Sequence, residues 1–187
     1  MRIVGGAWRG RALTGPGAAG GVRPTQDRVR ESLFNVLGGG RFGDPLTGAR
    51  VLDLFAGTGA LALEALSRGA AEAILVDNGR TSARLIAQNI RACGAGDRAR
   101  HLRRDATRLG VNEDAPFDLV FLDPPYGRGL GETALEAALA GGWIAPGALV
   151  IWEESARIAP PAGLQPLETR RYGDTTLAVL RAGTEDS

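Results

Sequence analysis

An α/β fold built on a mostly parallel sheet is predicted by three features of the chain. Val51-Leu52-Asp53-Leu54 is a short apolar run that ends in the loop Gly57-Thr58-Gly59, and Leu61, Leu63, Ala65 and Leu66 then mark a helix. Strand, glycine loop and helix in that order bring a ligand against backbone N–H groups at a helix N-terminus. A second apolar run, Phe117 to Leu122, stops at Asp123-Pro124-Pro125-Tyr126. Between the two, strand and helix patterns alternate, as they do in parallel sheets.

The elements follow in order. Met1 to Thr14 alternates short β-like pieces with glycines, which predicts a hairpin carrying Trp8 among Arg2, Arg9 and Arg11. Such interleaving suits phosphate clamping and stacking on an unpaired base; Trp8 could equally staple the hairpin to the body. Gly15 to Gly21 reads as a flexible connector. Arg23-Pro24-Thr25 opens a helix with Thr25 as N-cap and a stripe of Val29, Leu33, Phe34 and Leu37, closed by Gly38-Gly39-Gly40. Arg28 and Arg30 are placed off that stripe, available to RNA or to the mouth of the site. After the glycine loop come a strand over Ala73–Val76 closed by Asp77, a helix from Arg80 to about Cys93, and a strand over about Arg100–Arg103 leading to Arg104-Asp105-Ala106. Leu149–Trp152 is an apolar strand. Leu164–Tyr172 and Thr175–Arg181 flank Gly173-Asp174, a two-residue hairpin signal.

Four carboxylates stand where chemistry is expected. Asp53 lies inside its strand, costly unless it finds a partner, and the amino group of a methionine-like ligand would supply one. Asp77, twenty residues beyond the glycine loop, is placed to accept ribose hydroxyls. Asp105 stands at the end of the third strand, a place where Asp also starts loops and caps helices. Asp123 can accept hydrogen bonds from an exocyclic amine, the two prolines stiffen the turn and lack N–H groups of their own, and Tyr126 offers a ring face for stacking. Glu153 and Glu154 are left as surface or rim carboxylates.

The composition fits one catalytic domain with a small appendage. The chain has 187 residues, 44% of them hydrophobic, and no apolar run approaches the length that spans a membrane. No charged-then-apolar leader opens the sequence, and a single cysteine, Cys93, fits a cytoplasmic location. One cysteine and one histidine, His101, cannot build a His/Cys metal cluster within the chain, and neither is expected to be catalytic. The net charge is only +1, but residues 1–50 hold eight arginines against three acids. A basic arm on a mildly acidic body suits local grip on a polyanion.

Asp53-x-Phe55-x-Gly57-x-Gly59 resembles the first motif of class I methyltransferases and favours S-adenosylmethionine (SAM) over NAD. Asp123-Pro124-Pro125-Tyr126 resembles the (N/D)PP(Y/F) box of SAM-dependent amino-methyltransferases. Together with Arg2-Ile3-Val4-Gly5-Gly6-x-Trp8-Arg9-Gly10-Arg11 and Arg23-Pro24-Thr25-x-Asp27-Arg28-Val29-Arg30-Glu31-Ser32-Leu33-Phe34-Asn35, the chain is similar to the RsmD-type family of bacterial 16S ribosomal RNA guanine-N2 methyltransferases. The resemblance spans nearly the whole chain. It implies a Rossmann-like class I methyltransferase fold: a seven-stranded, mostly parallel sheet with a C-terminal antiparallel hairpin and a small N-terminal hairpin and helix. Residues 1–40 would form the RNA-contacting extension, 41–183 the SAM-dependent domain and 184–187 a tail. SAM would lie on Asp53, Phe55, Gly57, Gly59, Asp77, Asp105 and Ala106. Asp123, Pro124, Pro125 and Tyr126 would be catalytic, and Arg2, Trp8, Arg9, Arg11, Arg23, Arg28 and Arg30 would contact 16S ribosomal RNA within a small-subunit particle. Two other functions remain open: amino-methylation of DNA (adenine N6 or cytosine N4), and a non-catalytic ribosome-assembly factor that keeps the fold.

Overall fold

Seven strands, β1 (Arg50–Leu54), β2 (Glu72–Val76), β3 (Ala99–Leu102), β4 (Phe117–Leu122), β5 (Ile144–Glu154), β6 (Leu164–Tyr172) and β7 (Thr175–Ala182), form one sheet in the computed structural model, which describes residues 1–17, 24–155 and 158–184. Their order is β3-β2-β1-β4-β5-β7-β6. The first five run parallel, and β7 inserts antiparallel between β5 and β6. The strand order reverses between β1 and β4, which is where open α/β sheets hold their ligands. Both are central and covered on both faces, so they read as mostly apolar runs without regular alternation.

The helices are α1 (Pro24–Gly38), α2 (Ala60–Ser67), α3 (Arg80–Cys93) and α4 (Leu130–Ala140). Leu33, Phe34 and Leu37 of α1 are buried with Leu63 and Leu66 of α2 and Ile86 of α3 on one face of the sheet. The Phe34 ring lies 5.7 Å from that of Phe121 on β4. Ala134, Leu135 and Ala138 of α4 cover the other face with Trp152 and Val120. Strand β3 begins one residue earlier than its sequence pattern suggested. Helix α4 had not been anticipated, because Gly127, Gly129 and Gly131 break up its start.

The N-terminal segment departs from a regular hairpin. Arg2 and Ala12 form a single antiparallel bridge, and Gly6–Trp8 is a turn of 3-10 helix. The segment is held to α2 instead. Glu64, fully buried, accepts from the backbone N–H groups of Val4 and Gly5 at 2.8 Å each, and Ser67 bonds Trp8 and Gly5. Ile3 and Leu13 reach the same core as α1. Arg23 and the side chain of Thr25 lie outside the described residues, as do residues 18–21 of the connector and 185–187 of the tail.

Two arginines of α1 part company. Arg28 is exposed. Arg30 is buried, donates to the carbonyl of Arg2 and approaches Glu64 at 3.9 Å. The expectation that Arg30 faces outward toward RNA is therefore corrected: positions 30, 33, 34 and 37 share one helix face, and a buried carboxylate receives the guanidinium there.

Gly59 positions the glycine loop against β2. It has φ +77°, and a Cβ there would sit 2.5 Å from Leu75 Cδ2, a side chain that is itself fully buried. Left-handed strain and overpacking add, so Gly59→Ala is expected to cost about 2–4 kcal/mol. Chemical denaturation checks this, with loss of ligand binding expected alongside.

Candidate functional site

Four strand ends converge on a cleft of about 650 Å³ at the C-terminal side of the sheet. Phe55 comes from β1, Asp77 from β2, Asp123-Pro124-Pro125-Tyr126 from β4 and Glu153 from β5, with Asp105, Thr107, Asn78, Ser82 and Leu130 around them. Most of the residues expected from sequence to hold a ligand thus share one cavity astride the β1/β4 reversal. Asp53, Gly57, Gly59 and Ala106 are not among its lining residues.

Phe55 has φ +58° and is the one non-glycine with positive φ among the described residues. That conformation costs on the order of 1–3 kcal/mol and persists where the surroundings enforce it. Here it turns the chain out of β1 so that the Phe55 side chain lines the cleft while Gly57 bends back toward β2. The Gly57 N–H donates to Asp77 Oδ2 at 2.9 Å, and the Gly79 N–H donates to Asp77 Oδ1 at 2.8 Å. The His101 ring meets the Asp77 carbonyl at 3.0 Å, so this histidine supports the loop. Each oxygen of Asp77 keeps acceptor capacity beyond its one backbone bond.

Asp53, expected to need a partner, finds one inside the protein as well. Its Oδ2 accepts from the Ala62 N–H at 3.2 Å, in the first turn of α2, where a negative charge is favoured. Burial still dominates: it pushes the Asp53 carboxyl up to about 7, with the bond from Ala62 pulling down and the charge of Asp77 adding upward. A native chain that holds this proton while the unfolded chain has released it loses stability as pH rises from about 4 to about 7. Asp123 and Glu153 are shifted upward as well and act in the same direction. Thermal unfolding at pH 5, 6 and 7 is expected to show a falling midpoint, and Asp53→Asn to flatten that slope.

Asp105 caps the short 3-10 helix Ala106–Arg108, its Oδ1 accepting from the N–H and hydroxyl of Thr107 at 2.9 and 2.8 Å. Those bonds hold its carboxyl below the usual range. It also lines the cleft, so the capping role and the ligand-facing position coexist. Ala106 is buried.

On the opposite wall, Asp123 lines the cleft and is exposed there. Burial, then Glu153, Asp53 and Glu154, raise its carboxyl well above the ordinary range. The Tyr126 hydroxyl donates to Glu153 Oε1 at 2.9 Å, and its own ionisation is pushed up by burial and by the charges of Glu153 and Asp123. Pro124 is buried while Pro125 and Tyr126 are exposed. Glu153 and Glu154 are not ordinary rim groups as their position suggested. Glu153 belongs to the cleft, and Glu154 is buried, accepting from the N–H groups of Gly127 and Ser155. The sequence signal for both was only their place at the end of an apolar strand.

The basic residues of the N-terminal segment divide by location. Thr14 and Asn89 bond each other, and Asn89 also donates to the Thr58 carbonyl, which sets that end of the segment beside the glycine loop. Arg2, Arg9 and Arg11 are exposed, and Arg11 donates to the Ala92 carbonyl. Trp8 lies at the far end of α2, packed against the core with the Arg98 guanidinium 5.1 Å over its ring. Of its two expected roles, the packing one is the one visible in the fold. Among the described residues no group of His, Cys, Asp and Glu is arranged to hold a metal, and no helix is long and apolar enough to cross a membrane.

A Rossmann-like sheet with this strand order, a glycine loop at the end of β1 and a DPPY turn at the end of β4 define a class I methyltransferase. A family model described as conserved hypothetical protein 95 matches residues 1–181. Ribosomal RNA small subunit methyltransferase D of Escherichia coli is 42% identical over 153 residues, covering 82% of this chain and 74% of that protein. The protein of that name from Haemophilus influenzae is 35% identical over 156 residues, 82% of this chain and 78% of its own length. The solved structure of Escherichia coli yhhF superposes with a TM-score of 0.82 at 36% identity over 99% of both chains. The chain belongs to the conserved hypothetical protein 95 family and is an RsmD-type methyltransferase.

Proposed function

We propose that this chain transfers a methyl group from SAM to the exocyclic N2 amine of a guanine in small-subunit (16S) ribosomal RNA. The observation that carries the reading is the single cleft in which the glycine-loop side, with Phe55, Asp77 and Asp105, faces the Asp123–Tyr126 turn. The names of the two relatives support the RNA substrate.

The residues present fit SAM. Its sulfonium and ammonium are cations, and Asp53, Asp77, Asp123 and Glu153 make the surroundings acidic; a bound cation would favour the ionised forms of Asp53, Asp123 and Glu153, opposing the upward push of burial. Asp53 would lie toward the amino-acid end, Gly57 and Gly59 under the ligand, Asp77 on the ribose and Asp105 with Ala106 by the adenine. When bound, SAM supplies a methyl group already activated by the sulfonium.

The chain's own residues then orient the acceptor. Asp123 accepts a hydrogen bond from the 2-amino group of a base turned out of its stack. Pro124 and Pro125 fix that carboxylate's turn, and Tyr126, anchored through Glu153, offers its ring to the base. As the N–C bond forms, the amine sheds a proton, and Asp123, with its raised carboxyl, is placed to take it. Exposed Arg2, Arg9, Arg11 and Arg28 supply phosphate contacts around the mouth and along the N-terminal face, in an RNA or small-subunit particle.

The test is radiolabelled methyl transfer from SAM to small ribosomal subunits of a strain lacking this protein, followed by nucleoside analysis. N2-methylguanosine is expected. Label in N6-methyladenine or N4-methylcytosine of DNA instead would replace this reading with the DNA one, and SAM binding without transfer to any acceptor would leave the assembly-factor role.

A further inference from the structure

Glu153 is the one carboxylate lining the Asp123 side of the cleft that neither the glycine-loop motif nor the DPPY turn contains. It stands at the C-terminal end of β5, next to β4 in the sheet, half-buried, and it shares the cleft wall with Asp123. One of its oxygens, Oε1, takes the Tyr126 hydroxyl. A carboxylate has about four lone-pair positions, so this bond leaves most of its acceptor capacity unused. Burial raises the Glu153 carboxyl, and Glu153 is the first charge acting on Asp123.

The chemistry of the bases gives such a pair a use. Guanine is distinguished on its Watson–Crick edge by two neighbouring donor sites, N1–H and the 2-amino group. Adenine and cytosine each present one amine beside a ring nitrogen that is an acceptor. Two adjacent carboxylates match the first pattern and repel the second.

We propose that Glu153 is a specificity-determining residue that accepts the N1–H of the target guanine while Asp123 accepts its 2-amino group. The proposal rests on the guanine-N2 reading above. It explains why a turn equally suited to adenine or cytosine amines would act on guanine: the second acceptor comes from a different strand.

The test compares RNA carrying guanosine with RNA carrying 2-aminopurine riboside at the methylated position. The analogue keeps the 2-amino group but has an unprotonated N1. The wild type is expected to favour guanosine in kcat/KM by at least about a hundredfold, the scale for a site that loses a hydrogen-bonding partner. Glu153→Gln, whose amide can donate to the unprotonated N1, is expected to bring that ratio within about tenfold. Tyr126→Phe breaks the Tyr126–Glu153 bond and should lower both substrates together without narrowing the ratio. SAM binding and thermal unfolding of each variant establish that it is folded. An equal loss on both substrates in Glu153→Gln, or equal narrowing in Tyr126→Phe, would overturn the proposal and leave Glu153 a support for the Tyr126 ring. No N2-methylguanosine from the wild type on any RNA would remove the underlying reading and the proposal with it, and it is recognised by the absence of product on guanosine itself.

Discussion

Asp123→Ala is expected to lower turnover by on the order of a hundredfold or more while SAM affinity changes little, since misplacing a reacting group by an ångström costs that much. The split follows from position. Asp123 lines the acceptor wall with Tyr126 and Glu153, whereas Asp77 and Asp105 stand on the other side of the cleft. Alanine removes both the acceptor that aligns the amine and the group placed to receive its proton. The donor is already activated, so alignment is most of what the protein has to provide. Single-turnover methyl transfer and direct measurement of SAM binding check the two halves separately. Turnover within a few fold of wild type would remove Asp123 from the reaction.

Glu64→Ala is expected to be the most damaging substitution outside the cleft. It would leave the N–H groups of Val4 and Gly5 without their acceptor and take the carboxylate away from the buried guanidinium of Arg30 and from Arg68, which now donates to Glu64 at 2.8 Å. Removing one partner from a buried ionic network costs on the order of 3–5 kcal/mol, against a total stability of about 5–15 kcal/mol for a typical domain. Urea denaturation gives the value directly, and limited proteolysis would show whether the first fourteen residues come loose. A loss below about 1 kcal/mol would mean that burial of Ile3 and Leu13, with the bonds from Ser67 and Asn89, holds the segment.

What could be read in the sequence was whatever repeats or is local. The apolar runs of β1 and β4, the periodicity of α2 and α3 and the turn at Gly173-Asp174 all lie within a few residues of their causes. Arg30 was misplaced because its partner, Glu64, is thirty-four positions away, and a charged residue inside an apolar stripe reads as an outward one until that partner is known. Glu153 and Glu154 failed in a related way. In a sheet covered on both faces a strand's end is not automatically solvent, and nothing local says which neighbouring strand closes over it. Asp53 was recognised as needing a partner, but Ala62 supplies it from the next helix turn, a geometry that only the left-handed Phe55 and the glycine loop create. The cleft was therefore legible in its parts and not in its assembly.

The acid lining of that cleft also bears on how the enzyme clears itself between cycles. On the proposed reaction the donor enters carrying a sulfonium charge and departs as an uncharged thioether, so the same carboxylates that attract the incoming molecule hold the spent one less firmly. Attraction and release then come from one fixed set of charges, with no lid movement needed to tell fresh donor from used.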